Sequence, residues 1–364
     1  MTRYRAEQVG SLLRPPELLQ ARADFAAGRL AEPELRAAED RAIRSAVERQ
    51  RAIGIDVLAD GEMRRASWLT EMADAVDGFI ADSILLEWKG PGGGIEQTTA
   101  KIVGGRLRKR RMLTAHEAPF MKALGAAPYK MTLPAPSNFV PTGFRRGVTD
   151  AHYQAPGELL DDLVAIVRGD VEWLLDQGVR YIQLDAPFYS HYLDPHPREV
   201  MRQNGVDPDE EFEKGVAGDN QAIAGLSRPG VTFAVHVCRG NSRSRWYTEG
   251  GYDAIAEKLF GALEVDRFLL EYDTARAGSF EPLRLVPRGK DVVLGLITTK
   301  EPALESADDL ARRVDAAARF VPLEHLAISP QCGFASIASG NLLSMDDQWR
   351  KLERVVEVAR RVWG

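Results

Sequence analysis

The chain has 364 residues, 45% of them hydrophobic and 27% charged, a balance that belongs to a globular protein with a large core and not to a disordered one. A net charge of -6 gives no electrostatic ground for a nucleic-acid partner or for an anionic membrane surface. The first residues lack the apolar stretch of a signal peptide and no run is long enough to span a bilayer, so a cytoplasmic location is expected, with both cysteines reduced.

Apolar runs of strand length alternate along the chain with longer amphipathic stretches, the pattern of a parallel sheet with crossover helices. Strands are predicted near 6–10, 55–60, 129–134, 180–186, 232–238, 266–272, 291–298 and 326–331. Eight such runs fit a closed (β/α)8 TIM barrel, and with no internal repeat or low-complexity linker the whole chain, 1–364, reads as one domain. Helices are expected over 34–54, 158–178, 252–262, 307–320 and 346–363. The second of these places Leu159, Leu160, Leu163, Ile166, Val167, Val171 and Leu174 on one stripe ended by a glycine.

Two segments break the alternation. After the second run, Ile84 to Arg111 carries Pro91-Gly92-Gly93-Gly94 between strand-like stretches and predicts a projecting β-hairpin; its basic end, Arg106 to Arg111, reads as a solvated face. After the fourth run, 188–229 is rich in Asp, Glu and Pro and predicts a long loop insertion with short helices beside the barrel mouth.

Barrel active sites lie at the C-terminal ends of the strands, so what ends each run matters. The first ends at Val9-Gly10-Ser11, the second at Asp60-Gly61-Glu62, the fourth at Gln183-Leu184-Asp185. The fifth ends in His236-Val237-Cys238, whose imidazole and thiol share a face because strand side chains alternate with period two. The sixth ends in Glu271 and Asp273, also on one face, and the eighth at Cys332, the second of two cysteines in the chain. A buried cysteine usually behaves as a small hydrophobe and a strand-end acid often caps a helix. The coincidence of every cysteine with a same-face histidine and an acid favours a soft-metal site, with zinc the expected ion and either Glu271 or Asp273 as its acid.

This set of strand ends resembles the C-terminal catalytic barrel of cobalamin-independent methionine synthase, over nearly the whole chain and in order. The resemblance implies zinc held by His236, Cys238, Glu271 and Cys332, and a homocysteine acceptor whose amino-acid part is held by Ser11, Glu62 and Asp185. It implies a methyl donor as second substrate, a methylfolate or a methylcorrinoid. The enzyme of that family has a further N-terminal barrel for polyglutamyl folate, so little dependence on a polyglutamate tail is expected here. Where that enzyme has a histidine thought to protonate the departing folate, this chain reads Thr298-Thr299-Lys300, which makes Lys300 the candidate catalytic substitute. The stretch Arg239-Gly240-Asn241 resembles a short single-barrel branch of the family, with Arg239 and Asn241 as candidate holders of an anionic substrate group. Two other readings are a thiol alkyltransferase of the epoxyalkane:coenzyme M type, which would need cations where Glu62 and Asp185 stand, and a zinc-stabilised binding protein without turnover.

Overall fold

A computed structural model describes residues 4–203, 205–227 and 229–364. Two strands, β1 (Val76–Trp88) and β2 (Gly94–Lys109), form an antiparallel hairpin. Six more, β3 (Lys130–Pro134), β4 (Tyr181–Asp185), β5 (Thr232–Val237), β6 (Arg267–Glu271), β7 (Asp291–Ile297) and β8 (Leu326–Pro330), form a parallel sheet in sequence order.

Two short segments close this sheet into a ring. Ala6 bridges to Ile328 of β8 and Leu58 bridges to Tyr129, both in parallel sense. The Asp56 amide donates to Ala6 O at 2.9 Å, and the Asp56 carboxylate accepts from the Ala6 amide at 2.8 Å. The runs predicted at 6–10 and 55–60 thus stand in the ring, joined to their neighbours by single bridges and by this side-chain clasp instead of full ladders.

The interior of the ring has its own small core, Val57, Tyr181, Ala234, Leu269, Val293 and Ala327, distinct from the larger core between sheet and helices. This separation follows from the period of two, since alternate strand residues face inward. Stepping two residues toward the C-terminal end from this layer gives Gln183, His236, Glu271 and Gly295, and one step further gives Asp185 and Cys238. The polar mouth is therefore the continuation of the apolar ring interior on the same strands.

The outer helices bury the predicted stripe except at Leu160. In Pro156–Asp176 the side chains of Leu159, Leu163, Ile166, Val167, Val171 and Leu174 are buried, while Leu160 is half-buried. Ser306 caps the helix Ala307–Ala317, and Ser344 opens Met345–Trp363 through a reciprocal capping box with Asp347. No helix among the described residues is long and apolar enough to cross a membrane.

The segment expected as a loop insertion at 188–229 is organised differently. Pro208–Ile223 is a 16-residue helix, capped by Asp207, that packs against Pro156–Asp176 and leads into β5. It is the crossover helix that the right-handed parallel connection from β4 to β5 requires. Its glycines and acids hid the periodicity: Gly215 and Gly218 sit where a Cβ would press on Ser137 and Leu160.

The hairpin is longer than 84–111 and begins at Val76. Its turn end folds back on the loop that follows β5: the Lys89 amide donates to Trp246 O at 2.7 Å, and Arg245 pairs with Glu96 at 2.7 Å. The basic residues at its other end are largely paired, Lys109 with Asp170 at 2.7 Å and Arg110 with Asp77 at 3.0 Å.

Candidate metal centre and the acidic pocket beside it

His236, Cys238 and Cys332 converge at the mouth, with one ligand atom from each lying within 4.8 Å of the others. The two sulfur atoms are 3.6 Å apart, brought together by the ends of β5 and β8 across the ring. All three side chains are buried, and neither ring nitrogen of His236 has a hydrogen-bond partner among the described residues. Leaving a nitrogen of a buried imidazole unsatisfied costs about 1–3 kcal/mol, and a metal bond would offset this at the nitrogen it engages. The hydrogen bond between the thiols holds Cys332 well below the usual thiol range and pushes Cys238 well above it. Two thiols and an imidazole are a donor set suited to zinc.

Glu271 lies beside this group, outside the trio whose ligand atoms lie within 4.8 Å of one another. Its Oε1 accepts from Arg276 Nε at 2.9 Å and its Oε2 from the Arg239 amide at 2.8 Å. Burial opposes ionisation, but the charges of Arg276 and Arg239 hold its carboxyl below the ordinary range. Asp273, the other acid of that run, is bound through both oxygens to Arg276 at 2.8 and 2.7 Å.

Ser11, Glu62 and Asp185 gather beside the centre: Asp185 feels the charges of His236 and Glu62, and Gly333, next to Cys332, packs on Ser11. Asp185 stands opposite His236 in the register of β4 with β5, so the two side chains share the inner face. Gln183 Nε2 donates to Asp185 Oδ1 at 2.7 Å and to Val9 O at 2.8 Å, tying the end of β4 to the first segment. Burial pushes the Asp185 carboxyl up to about 7. Glu62 occupies a left-handed conformation, φ 55°, in the turn after the second segment, and its Oε2 is buried without a partner among the described residues. Two glycines make the room: a Cβ on Gly10 would sit 3.0 Å from Glu62 Oε1, and one on Gly333 would sit 1.9 Å from Ser11 Oγ.

Arg239, Asn241 and Lys300 are at the site but turned to other work. The Arg239 guanidinium is fully buried and gives its donors to Gly250 O, Tyr252 Oη, Glu271 O and Ala277 O, while stacking on the Tyr252 ring at 4.2 Å. All five of its N–H groups are engaged, so the expected role of gripping a substrate anion is corrected to that of a pin between the ends of β5 and β6. Asn241 Nδ2 donates to Gly333 O at 2.7 Å and to Ser336 Oγ at 3.1 Å, and its Oδ1 accepts from Asn341 at 2.9 Å and from Lys300 at 3.0 Å. It links the loops that follow the two cysteines and has no donor left for a substrate.

Lys300 Nζ donates to Gly240 O at 2.9 Å, Asn241 Oδ1 at 3.0 Å and Arg245 O at 3.1 Å. Its three protons are spoken for, which replaces the expected acid catalyst with a buried tie. Lys300→Met is expected to lower the unfolding free energy by about 2–4 kcal/mol, the cost of leaving several buried acceptors without a donor. A urea transition unmoved by this change, accompanied by lost turnover, would restore the catalytic reading.

Sequence reasoning missed Arg65, Glu117, Thr132, Arg276 and Asn341, each of which holds one of the groups above in place. Arg65 and Arg276 had a local signal, a basic residue three positions after an acid in a turn; the others are set by long-range packing.

The family model described as the catalytic domain of cobalamin-independent synthase matches residues 5–361. YxjH of Bacillus subtilis, an uncharacterised protein, is 39% identical over 99% of this chain and 95% of its own length. A methionine synthase of Thermococcus kodakarensis is 25% identical over 97% of this chain and 92% of its own. The crystal structure of the Listeria monocytogenes protein assigned as a vitamin-B12-independent methionine synthase superposes with a TM-score of 0.76 at 27% identity, covering 100% of this chain and 98% of that one.

Proposed function

The chain belongs to the cobalamin-independent methionine synthase family, and from that premise we propose that it is a zinc-dependent S-methyltransferase whose acceptor is homocysteine and whose product is methionine. The observation that carries this reading is the buried imidazole with both nitrogens unpartnered, facing two thiols 3.6 Å apart. Zinc would be held by His236, Cys238 and Cys332 with Glu271 as fourth ligand, whose contacts to Arg276 and the Arg239 amide are the outer partners that orient a ligating carboxylate. When bound, the ion supplies the charge that favours the deprotonated form of a substrate thiol near neutral pH.

The chain's own residues would then bind and orient. Asp185, whose carboxyl burial pushes up to about 7 and which a bound ammonium would draw to its charged form, and the bare Oε2 of Glu62 face the substrate ammonium, and Ser11 accompanies them as a hydroxyl donor for its carboxylate. The new S–C bond forms as the bond from the methyl carbon to its carrier breaks; the thiol proton has already left, and the carrier takes up a proton from solvent or stays as the reduced corrinoid. The donor is proposed to be a methylfolate or a methylcorrinoid. The acidic pocket argues against a sulfonate thiol of the coenzyme M type, which would be repelled there.

Metal analysis tests the premise directly. Protein purified without chelator is expected to carry about one zinc per chain, as a site with three or four protein ligands should. Less than about half an equivalent, with no gain of homocysteine methylation when zinc is added back, would sink the proposal.

A further inference from the structure

We infer that Arg65, Glu117 and Thr132 are positioning residues that hold one oxygen of Glu62 and leave the other bare and charged, so that Glu117 sets the preference of the pocket for thiols that carry an ammonium group. The inference rests on the acceptor reading above and adds a selectivity device to it. Arg65 is fully buried and clamped by Glu117, Nε to Oε1 at 2.9 Å and Nη2 to Oε2 at 2.7 Å. Its Nη1 donates to Thr132 Oγ1 at 2.9 Å, and Thr132 Oγ1 donates onward to Glu62 Oε1 at 3.0 Å. Arg65 Nη1 also forms an ion pair with Glu62 Oε1 at 3.5 Å, looser than its 2.7 Å pair with Glu117.

The order of these contacts matters electrostatically. A buried guanidinium paired with Glu62 alone would offset its charge and leave little for a substrate amine. Glu117 takes that charge through a bidentate pair, and Thr132 relays only a neutral hydroxyl bond to Glu62. Glu62 is therefore oriented while Glu117 takes most of the pairing with Arg65, and Glu62 acts on the same space as Asp185, whose carboxyl it helps to push up. The backbone of the turn is fixed separately. Arg14 donates to the carbonyls of Glu62 at 2.8 Å and Arg65 at 3.1 Å, and Asp60 Oδ1 accepts from the Glu62 amide at 2.9 Å. Removing the Glu117 charge thus changes where the Arg65 charge goes, with the turn still tied down.

The test compares homocysteine with 4-mercaptobutanoate, which keeps the thiol and carboxylate and lacks the amine, on zinc-loaded full-length protein. In Glu117→Gln, Arg65 is free to pair with Glu62. The dissociation constant and KM for homocysteine are expected to rise roughly tenfold or more, the worth of one charge-assisted hydrogen bond. Turnover at saturation and 4-mercaptobutanoate binding are expected to stay within about twofold, since neither draws on that bond. Thr132→Val, which keeps the shape and loses the relay, should shift homocysteine binding in the same direction, and Thr132→Ser should restore it; this pair carries the test if Glu117→Gln does not fold. Equal weakening of both thiols, or a wild-type preference that survives Glu117→Gln and Thr132→Val, would overturn the inference alone. A wild-type protein that bound both thiols equally would overturn the acceptor reading and the inference with it.

Discussion

Cys332→Ser is expected to strip the metal and turnover together while leaving the barrel folded. Cys332 lies two residues past the end of β8 and its sulfur is 3.6 Å from that of Cys238, so the pair is the soft half of the proposed centre. A serine hydroxyl keeps the shape but is far harder to deprotonate than a thiol, and it is a poor ligand for zinc. Zinc content is expected to fall below about a tenth of an equivalent, since structural thiolate bonds supply most of the binding free energy at such sites. Methyl transfer should fall by roughly three orders of magnitude or more, because the substrate thiol then stays protonated. Cys238→Ser should behave alike. The fold does not hang on this centre: neither cysteine belongs to the main core or to the small core inside the ring. Thermal unfolding within a few degrees of wild type is therefore the companion result. A serine variant with full zinc and wild-type turnover would remove these thiols from the mechanism.

The ring, and much of its mouth, could be read from the sequence because one physical rule carries both. Period-two alternation fixes which residues of a parallel strand face inward, so His236 and Cys238 had to share a face, and the register of β4 with β5 then sets Asp185 opposite His236. The short closing segments were legible as apolar runs, but their weak pairing was not, since the Asp56 clasp spans from the second segment to the first. The misread residues, Arg239, Asn241 and Lys300, were placed correctly near the mouth and given the wrong task. A polar side chain in a loop looks available for a ligand until its donors are counted. The acceptors that engage Arg239 include Gly250 O and Ala277 O, and those that engage Asn241 include Gly333 O, all distant in sequence. The same blindness hid Glu117, whose only mark in the sequence is an acid in an irregular stretch.

Asp185→Asn is expected to weaken homocysteine by roughly 2–4 kcal/mol, the usual cost of breaking a buried hydrogen-bonded charge pair from one side. The substitution is a clean one because the amide oxygen can still accept from Gln183 Nε2, which now sits 2.7 Å from Asp185 Oδ1, so the end of β4 keeps its tie to Val9. What is lost is the carboxylate that a bound ammonium would draw to its charged form. Glu62 cannot compensate, since its Oε1 is already committed to Thr132 and its backbone is held in the left-handed turn. Zinc content should stay at the wild-type level, because Asp185 is not among the residues whose ligand atoms converge at the centre. Homocysteine binding followed by calorimetry separates this from a donor effect, since it needs no methyl donor in the cell. If the variant bound homocysteine with wild-type affinity and instead lost its response to the methyl donor, the two halves of the pocket would have to be exchanged, with Asp185 facing the carrier and the ammonium held elsewhere along the rim.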